Sequence, residues 1–324
     1  MTVGVCLGQA LLSSAAPRLE NGFSIGICAA DHPAKLGLLL DIINREAYPA
    51  GFVLKSIIIV GSGLDQEARS ALRSIAQRTA NLILVEEPVR RGKAEAINRI
   101  LEMFSERFLV LLNSDAIPEP GAIAQLLSVI GGDSNVGIVS ASPVLEHNPG
   151  ITGAVLRLIW SIHNECLLAL NEKGENNHSC DELIAVRSTA IRKLRQDTVN
   201  DGAFLAGSAY KDGYSIQFCE TAKVRIDPPT RIPDILRQRR RILYGHFQIR
   251  RIVGKTPRTM EAMLVVNPKM SLAVLRRTLR KSPNSMLALP IAMVGEVISL
   301  SLAILDTTTA KPKHVPWTRF GAKS

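Results

Sequence analysis

The chain has 324 residues, of which 46% are hydrophobic and 4% aromatic, and its formal net charge is +10. This length suffices for one large α/β domain with an appendage, or for two small domains. The five cysteines form neither a CxxC pair nor a metal-like cluster with histidine, which indicates reduced thiols in a cytoplasmic setting. The first 22 residues lack a basic n-region, so we expect a loose arm and not a signal peptide.

Strand-like and helix-like segments alternate from residue 23 onwards. Strands are predicted at residues 23–29, 54–60, 82–86, 108–112, 137–142, 181–186 and 216–218. Helices are predicted at residues 35–45, 66–80, 93–104, 121–130, 151–170 and 231–253, with a polar loop at 171–179. This alternation predicts a Rossmann-like α/β fold with a mainly parallel sheet and helices on both faces.

The predicted strand at 108–112 stops at three small polar residues, Asn113, Ser114 and Asp115. Ligands of open α/β sheets bind at the carboxyl ends of the strands. Asp115 is therefore a candidate ligand-binding carboxylate. Taken alone, it is more simply a residue that starts a turn or caps the next helix.

Two other strand ends carry candidate binding residues. Gly61-Ser62-Gly63 follows the second strand and allows the backbone to approach a ligand closely. Arg90-Arg91-Gly92-Lys93 places basic side chains at the start of a helix, a favourable place for phosphate. The alternative is a turn with solvated bases. Neither a P-loop nor a GxGxxG fingerprint is present in the sequence.

Two later segments allow both a structural and a chemical interpretation. Asn200-Asp201 precedes an apolar run, which is typical of a helix N-cap, but a carboxylate there could also act as a general base. Arg237-Gln238-Arg239-Arg240-Arg241 could be a solvated helix face. It could also bind a diphosphate, because the arginine fork matches phosphate oxygens.

One segment makes the protein basic. Residues 231–281 contain 14 Lys and Arg against two acidic residues, and the rest of the chain is close to neutral. This segment has few aromatic side chains for base stacking, so we do not expect nucleic acid as a partner. The mostly apolar residues 286–305 follow it, and the combination favours attachment to an anionic membrane surface. A buried helix of a soluble protein is the alternative.

The order of these motifs resembles that of the family 2 glycosyltransferases, most closely the membrane-associated, cellulose-synthase-like branch. The matching segments are GKAEAIN (92–98), LLNSDAIPEP (111–120), NDGAFL (200–205), DGYSIQF (212–218) and QRRRILYG (238–245). The resemblance implies a GT-A fold, a nucleotide-diphosphate sugar donor, a divalent cation (Mg²⁺ or Mn²⁺) and inversion at the anomeric carbon.

The resemblance also implies roles for individual residues. Asp201 matches the catalytic base, and Asp115 matches the second aspartate of the metal-binding DxD motif. The positions that correspond to the donor site are Ala29, Asp31, Ser62, Lys93, Asn113, Gln238 and Arg241, of which the last two match the Q and R of QxxRW.

Four positions depart from the family pattern. Asn113 replaces the first aspartate of DxD, which removes one negative charge from a site for a hard cation. Ser62, together with Gly61, stands where many members have an aspartate that contacts the base, and His32 stands where glutamate is common. Ile242 replaces the tryptophan of QxxRW, which weakens the case for processive synthesis.

Together these observations predict an arm at residues 1–22, a GT-A domain at 23–230 and a membrane-associating region at 231–324. The expected function is transfer of a sugar to a glycan or lipid-linked hydroxyl at the cytoplasmic face of the membrane. Two alternatives stay open: a catalytically degenerate GT-A scaffold and a sugar-phosphate nucleotidyltransferase. The second usually has a glycine-rich loop after its first strand, and residues 28–33 offer none.

Overall fold

The computed structural model describes residues 21–29, 35–146, 149–308 and 314. Within them, eight strands are present: β1 (Asn21–Ala29), β2 (Phe52–Ser62), β3 (Leu82–Glu87), β4 (Phe108–Asn113), β5 (Ile117–Pro118), β6 (Val136–Leu145), β7 (Leu183–Arg187) and β8 (Ser215–Ile226). The ten α-helices of these residues are α1 (Leu36–Arg45), α2 (Gln66–Arg78), α3 (Lys93–Met103), α4 (Ala122–Gly132), α5 (Gly150–Asn171), α6 (Asp201–Lys211), α7 (Ile232–Val253), α8 (Met260–Val266), α9 (Pro268–Lys281) and α10 (Leu289–Thr307).

The strands form one sheet in the order β3-β2-β1-β4-β7-β6-β8-β5. The first four are parallel to one another, as the sequence predicts. Their carboxyl ends share an edge, where Ala29 pairs with Gly61 and Cys28 with Asn113. The predicted α/β architecture is confirmed.

Helices cover both faces of the sheet, and alternate residues of each strand supply the two cores. Phe108, Val110 and Leu112 pack in the layer that contains α1 and α4, whereas Leu109 and Leu111 pack in the layer that contains α3 and α6. This period-2 alternation explains why β4 is a continuous apolar run.

β7 departs from the parallel arrangement. It pairs with β4 in antiparallel orientation, with Leu183 opposite Leu112. The amino end of β7 therefore lies at the edge where β4 ends. The sequence predicted this strand from residue 181, but it begins at Leu183, so Asp181 and Glu182 precede it at that edge.

The C-terminal helices pack onto the sheet domain through α7, whose Ile249 and Val253 join the core that contains α6. Helix α7 confirms the prediction for residues 231–253 and ends at Gly254, which has a φ of +78°. Residues Pro283–Thr307, a 3₁₀ turn followed by α10, contain an 18-residue window with a mean hydropathy of 2.1 and are long and apolar enough to cross a membrane.

Three histidines form a buried cluster between the C-terminal helices and the sheet domain. The rings of His163 on α5, His178 and His246 on α7 stack edge to face, with centroids 5.6 and 5.2 Å apart. Within the described residues, at least one ring nitrogen of each has no hydrogen-bond partner. Burial lowers the pKa values of His163, His178 and His246 to about 3, 4 and 3.

We expect this cluster to make the fold sensitive to acid. The unfolded chain takes up protons at these histidines below about pH 6.5, whereas the folded chain does not until about pH 4, so the free energy of unfolding falls across that interval. Each histidine contributes at most about 1.4 kcal/mol per pH unit. Urea unfolding at pH 7.5, 6.0 and 5.0 measures this slope.

His246→Phe is the informative variant, because both ring nitrogens of His246 lack a partner among the described residues and phenylalanine keeps a ring in the same place. It should lower the slope by up to about 1.4 kcal/mol per pH unit, since it removes one of three such groups. An unchanged slope would show that the cluster does not control the response to acid.

Candidate functional site

A cavity of about 440 Å³ opens at the carboxyl ends of β1, β2 and β4 and is bounded by residues of α7. The predicted site residues that line it are Ala29, Ser62, Lys93, Asn113, Asp115, Asp201, Gln238 and Arg241. Asp31, the remaining predicted residue, lies outside the described residues. Side chains from distant parts of the chain thus meet at the edge where ligands of α/β sheets bind.

One group of charges in the cavity consists of a lysine between two carboxylates. Nζ of Lys93, the first residue of α3, lies 2.6 Å from Oδ2 of Asp181 and 2.8 Å from Oδ2 of Asp201. Asp201 is the first residue of α6 and is 4% exposed. Lys93 is therefore already paired within the protein, and its charge is not free for a phosphate as the sequence alone allowed.

The two carboxylates are in different electrostatic states. Burial raises the pKa of Asp201, and the charge of Asp181 adds to this, so that Lys93 only partly offsets the shift. Burial also acts on Asp181, but there the attraction of Lys93 outweighs it, and the pKa is lowered. Despite its own burial, Lys93 has a raised pKa because both carboxylates stabilise the ammonium. Asp201 is thus the stronger base of the pair.

The loop before α6 is held in place by one face of α7. Arg241 donates from Nη2 to the Val199 carbonyl at 2.9 Å, and Gln248 accepts a hydrogen bond from the Val199 amide at 2.9 Å. Gly245 lies between them on this face, and a Cβ there would come within 2.7 Å of Cβ of Asn200. Only glycine allows α7 to approach the loop this closely.

Both interpretations of Asn200-Asp201 describe part of the geometry. Asn200 is the N-cap of α6, and its Oδ1 accepts from the Ala203 amide at 3.0 Å. Asp201 takes no part in this cap and lines the cavity instead. The role of Asp201 as a base stays a prediction.

The arginine run on α7 divides between two environments. Gln238 and Arg241 line the cavity. Arg239 forms a bidentate pair with Glu296 of α10, at 2.8 and 2.9 Å, and also contacts Glu261 of α8. The run is therefore neither wholly a solvated face nor wholly a diphosphate site.

Two carboxylates of the cavity were missed by sequence reasoning, namely Asp181 and Glu182. The missed signal was the direction of β7. Because β7 runs antiparallel to β4, the residues that precede β7 lie at the same edge of the sheet as the residues that follow β4. Nδ2 of Asn113 donates to Oε2 of Glu182 at 2.7 Å. Burial, followed by the charges of Asp181 and Asp115, raises the pKa of Glu182 to about 8.

The donor atoms at this corner suit a hard divalent cation. Within the described residues, no group of three or more His, Cys, Asp or Glu side chains has metal-binding geometry. Mg²⁺, however, is commonly bound by only one or two carboxylates together with substrate phosphates. Asp115, Glu182 and the amide oxygen of Asn113 offer such oxygens. The negative charges of Asp115 and Glu182 repel each other, and a bound cation would offset this repulsion.

Arg90 and Ser62 complete the rim near the start of α3. Arg90 lines the cavity, whereas Arg91 lines a neighbouring depression together with Glu86 and Glu87. Ser62 donates a 2.5 Å hydrogen bond to Oε2 of Glu87, which fixes its hydroxyl at the end of β2. Of the three basic residues that the sequence proposed for an anion, Arg90 and Lys93 line the cavity and Arg91 does not.

Comparisons with known proteins agree with this geometry. A family model described as "Glycosyltransferase like family 2" matches residues 20–245. A search of curated proteins finds no match. Among solved structures, the mannosyltransferase PcManGT from Pyrobaculum calidifontis, in complex with GDP-Man and Mn²⁺, is similar with a TM-score of 0.61 and 19% identity, covering 89% of this chain and 87% of that chain.

A second solved structure, S. aureus TarS, matches 68% of this chain and 39% of that chain, with 12% identity and a TM-score of 0.46. The cellulose-synthase-like branch is not distinguished by these comparisons and stays a prediction. The family model spans most of the chain, and eight of the site residues predicted from the sequence line one cavity. The chain therefore belongs to the glycosyltransferase family 2-like proteins and is a nucleotide-sugar-dependent glycosyltransferase.

Proposed function

We propose that the protein is an inverting glycosyltransferase that moves a sugar from a nucleotide-diphosphate donor to an acceptor hydroxyl, on a glycan or a lipid-linked acceptor, at the cytoplasmic face of the membrane. The observation that supports this most is that Asp115, Asp201 and Arg241 line one cavity. Direct displacement at an anomeric carbon needs a base on one side and stabilisation of the leaving group on the other.

Asp201 is the proposed base. Its carboxylate removes the proton from the acceptor hydroxyl while the oxygen attacks the anomeric carbon from the face opposite the diphosphate. Burial strengthens it as a proton acceptor because its pKa is raised. Lys93, at 2.8 Å, orients the carboxylate, and its charge partly offsets the effect of burial on the pKa of Asp201.

The leaving diphosphate would lie between the end of β4 and α7. Arg241 and Arg90 provide guanidinium groups there, and Gln238 provides an amide. Asp115, with Asn113 and Glu182 beside it, would hold a divalent cation. When bound, Mg²⁺ or Mn²⁺ supplies positive charge to the diphosphate oxygens.

Asp201→Asn tests the proposed base. The substitution keeps the size of the side chain and removes its basicity, so we expect kcat to fall by about 10²–10⁴-fold while donor binding survives. Transfer and hydrolysis are measured with a panel of nucleotide sugars beginning with GDP-mannose, and donor binding is measured by calorimetry.

Asp197→Asn is the matched control, because Asp197 lies on the same loop but pairs with Arg195 at the surface. It should retain full activity. Full activity in Asp201→Asn would refute the role of Asp201. If the unmodified protein bound nucleotide sugars but neither transferred nor hydrolysed any of them, the degenerate scaffold would be the better description.

Asp115→Ala tests the cation site. The loss of this carboxylate should abolish the part of donor affinity that depends on Mn²⁺ or Mg²⁺, since the ion joins the protein to the diphosphate. Titrations of the nucleotide sugar with and without Mn²⁺ measure this difference. Glu119→Gln, outside the cavity and just after β5, should leave it unchanged. An Asp115→Ala protein with the metal dependence of the unmodified protein would contradict the assignment.

A further inference from the structure

Helix α10 turns its polar side towards the protein. Its inward residues recur at intervals of four and three, and they are Ala292, Glu296, Ser299, Ala303 and Asp306. Glu296 forms the bidentate pair with Arg239, and Asp306 forms a second one with Arg240 at 2.6 and 2.7 Å. Both arginines belong to α7. Two ion pairs therefore fix the rotation of α10 about its axis.

The outward side of α10 and of the turn before it is apolar. Its large exposed side chains are Met286, Leu287, Ile291, Met293, Val294, Val297, Ile298, Ile304 and Leu305, each at least 42% exposed, and the polar residues exposed beside them are Asn284 and Ser301. The hydroxyl of Ser301, also on this side, bonds to the Val297 carbonyl at 2.9 Å, so it needs no water. A helix with charges inside and aliphatic groups outside is the reverse of a helix that faces water.

A basic stripe adjoins this apolar face. Lys269, Leu272, Arg276 and Arg280 are exposed on α9 at intervals of three and four residues. The stripe begins just after the exposed tip of α8, Leu264–Val266, and ends just before Met286 and Leu287. The 3₁₀ turn that carries Met286 and Leu287 packs against both α9 and α10. Cations and aliphatic side chains therefore meet at one edge.

Of the residues that the structure describes after α10, His314 does not cover this face. His314 lies on the α7 side, where its Nε2 is 2.9 Å from Oδ2 of the inward-facing Asp306. Its ring is also 5.2 Å from that of Tyr244 on α7. The partner of the apolar face must then suit aliphatic groups bordered by cations, which describes the headgroup and acyl boundary of an anionic bilayer.

We propose that α10 lies in the plane of an anionic membrane surface, with its aliphatic side in the acyl boundary and the α9 stripe at the lipid phosphates, and does not cross the bilayer. Crossing would detach α10 from α7 and expose Glu296, near the middle of the helix, to hydrocarbon. In-plane binding keeps both ion pairs. This inference deepens the membrane location within the proposed function and does not require sugar transfer.

Vesicle flotation of the full chain without donor tests the proposal. The protein should bind phosphatidylcholine vesicles that contain phosphatidylglycerol roughly tenfold more strongly than pure phosphatidylcholine. Val294→Glu with Val297→Glu should reduce this binding by roughly tenfold or more, because both side chains point outward. Leu38→Glu is the control, since Leu38 is 53% exposed on α1 and should not matter.

The cationic stripe is tested separately. Arg276→Glu with Arg280→Glu should lower binding to anionic vesicles by roughly tenfold and leave binding to neutral vesicles unchanged. Arg78→Glu, exposed on α2, is the control. Circular dichroism confirms that each variant is folded. Equal vesicle binding by the unmodified protein and both double variants would overturn the proposal, as would no vesicle binding at all.

Depth measurements separate in-plane binding from crossing. Tryptophan is introduced at Leu287, Val297 or Leu305, and quenching by brominated lipids is recorded against the unmodified protein. Similar shallow depths, roughly 5–10 Å below the headgroups, are expected at all three. A middle probe much deeper than the end probes would show a crossing helix and overturn the proposal. The proposal would also be overturned if the protein bound no vesicles and instead formed a dimer through this face that Val294→Glu dissociates.

Sugar transfer is assayed separately with a water-soluble acceptor, and its outcome does not depend on vesicle binding.

Discussion

The ammonium group of Lys93, held between Asp181 and Asp201, is the interaction on which the candidate site depends. It joins the first residue of α3 to the first residue of α6 and to the segment before β7. A buried carboxylate without such a partner would be strongly unfavourable, so the three elements are constrained to meet there. Gly202 makes this meeting possible, since a Cβ at that position would lie 2.7 Å from Cβ of Asp181.

Helix α7 extends this constraint from the site to the C-terminal region. One of its faces holds the loop before Asp201 through Arg241 and Gln248. Another holds α10 through Arg239 and Arg240. One helix therefore contacts both the loop that carries the candidate base and the inward side of α10.

The sequence predicts those parts of the fold and site that depend on local pattern. The apolar run of β4 and the Asx pair before α6 located Asp115 and Asp201, because buried strands and caps have clear local signals. Asp181 and Glu182 depend on the direction of β7, which is decided by tertiary pairing. The division of the arginines on α7 also depends on carboxylates that are 22 or more residues away in the chain, such as Glu261 and Glu296.

The same long-range information changes the interpretation of Asn113. From the sequence alone, Asn113 in place of the first DxD aspartate means that one carboxylate is missing, which favours a degenerate enzyme. In the structure, the Asn113 amide donates to Glu182 at 2.7 Å. An aspartate at position 113 would instead place two carboxyl groups at hydrogen-bond distance, where both could be ionised only against mutual repulsion in a partly buried site. Asn113 and Glu182 are chemically matched, so the carboxylate that β4 lacks is present at the start of β7. The corner keeps two carboxylates, and the substitution at 113 is therefore weak evidence for lost activity.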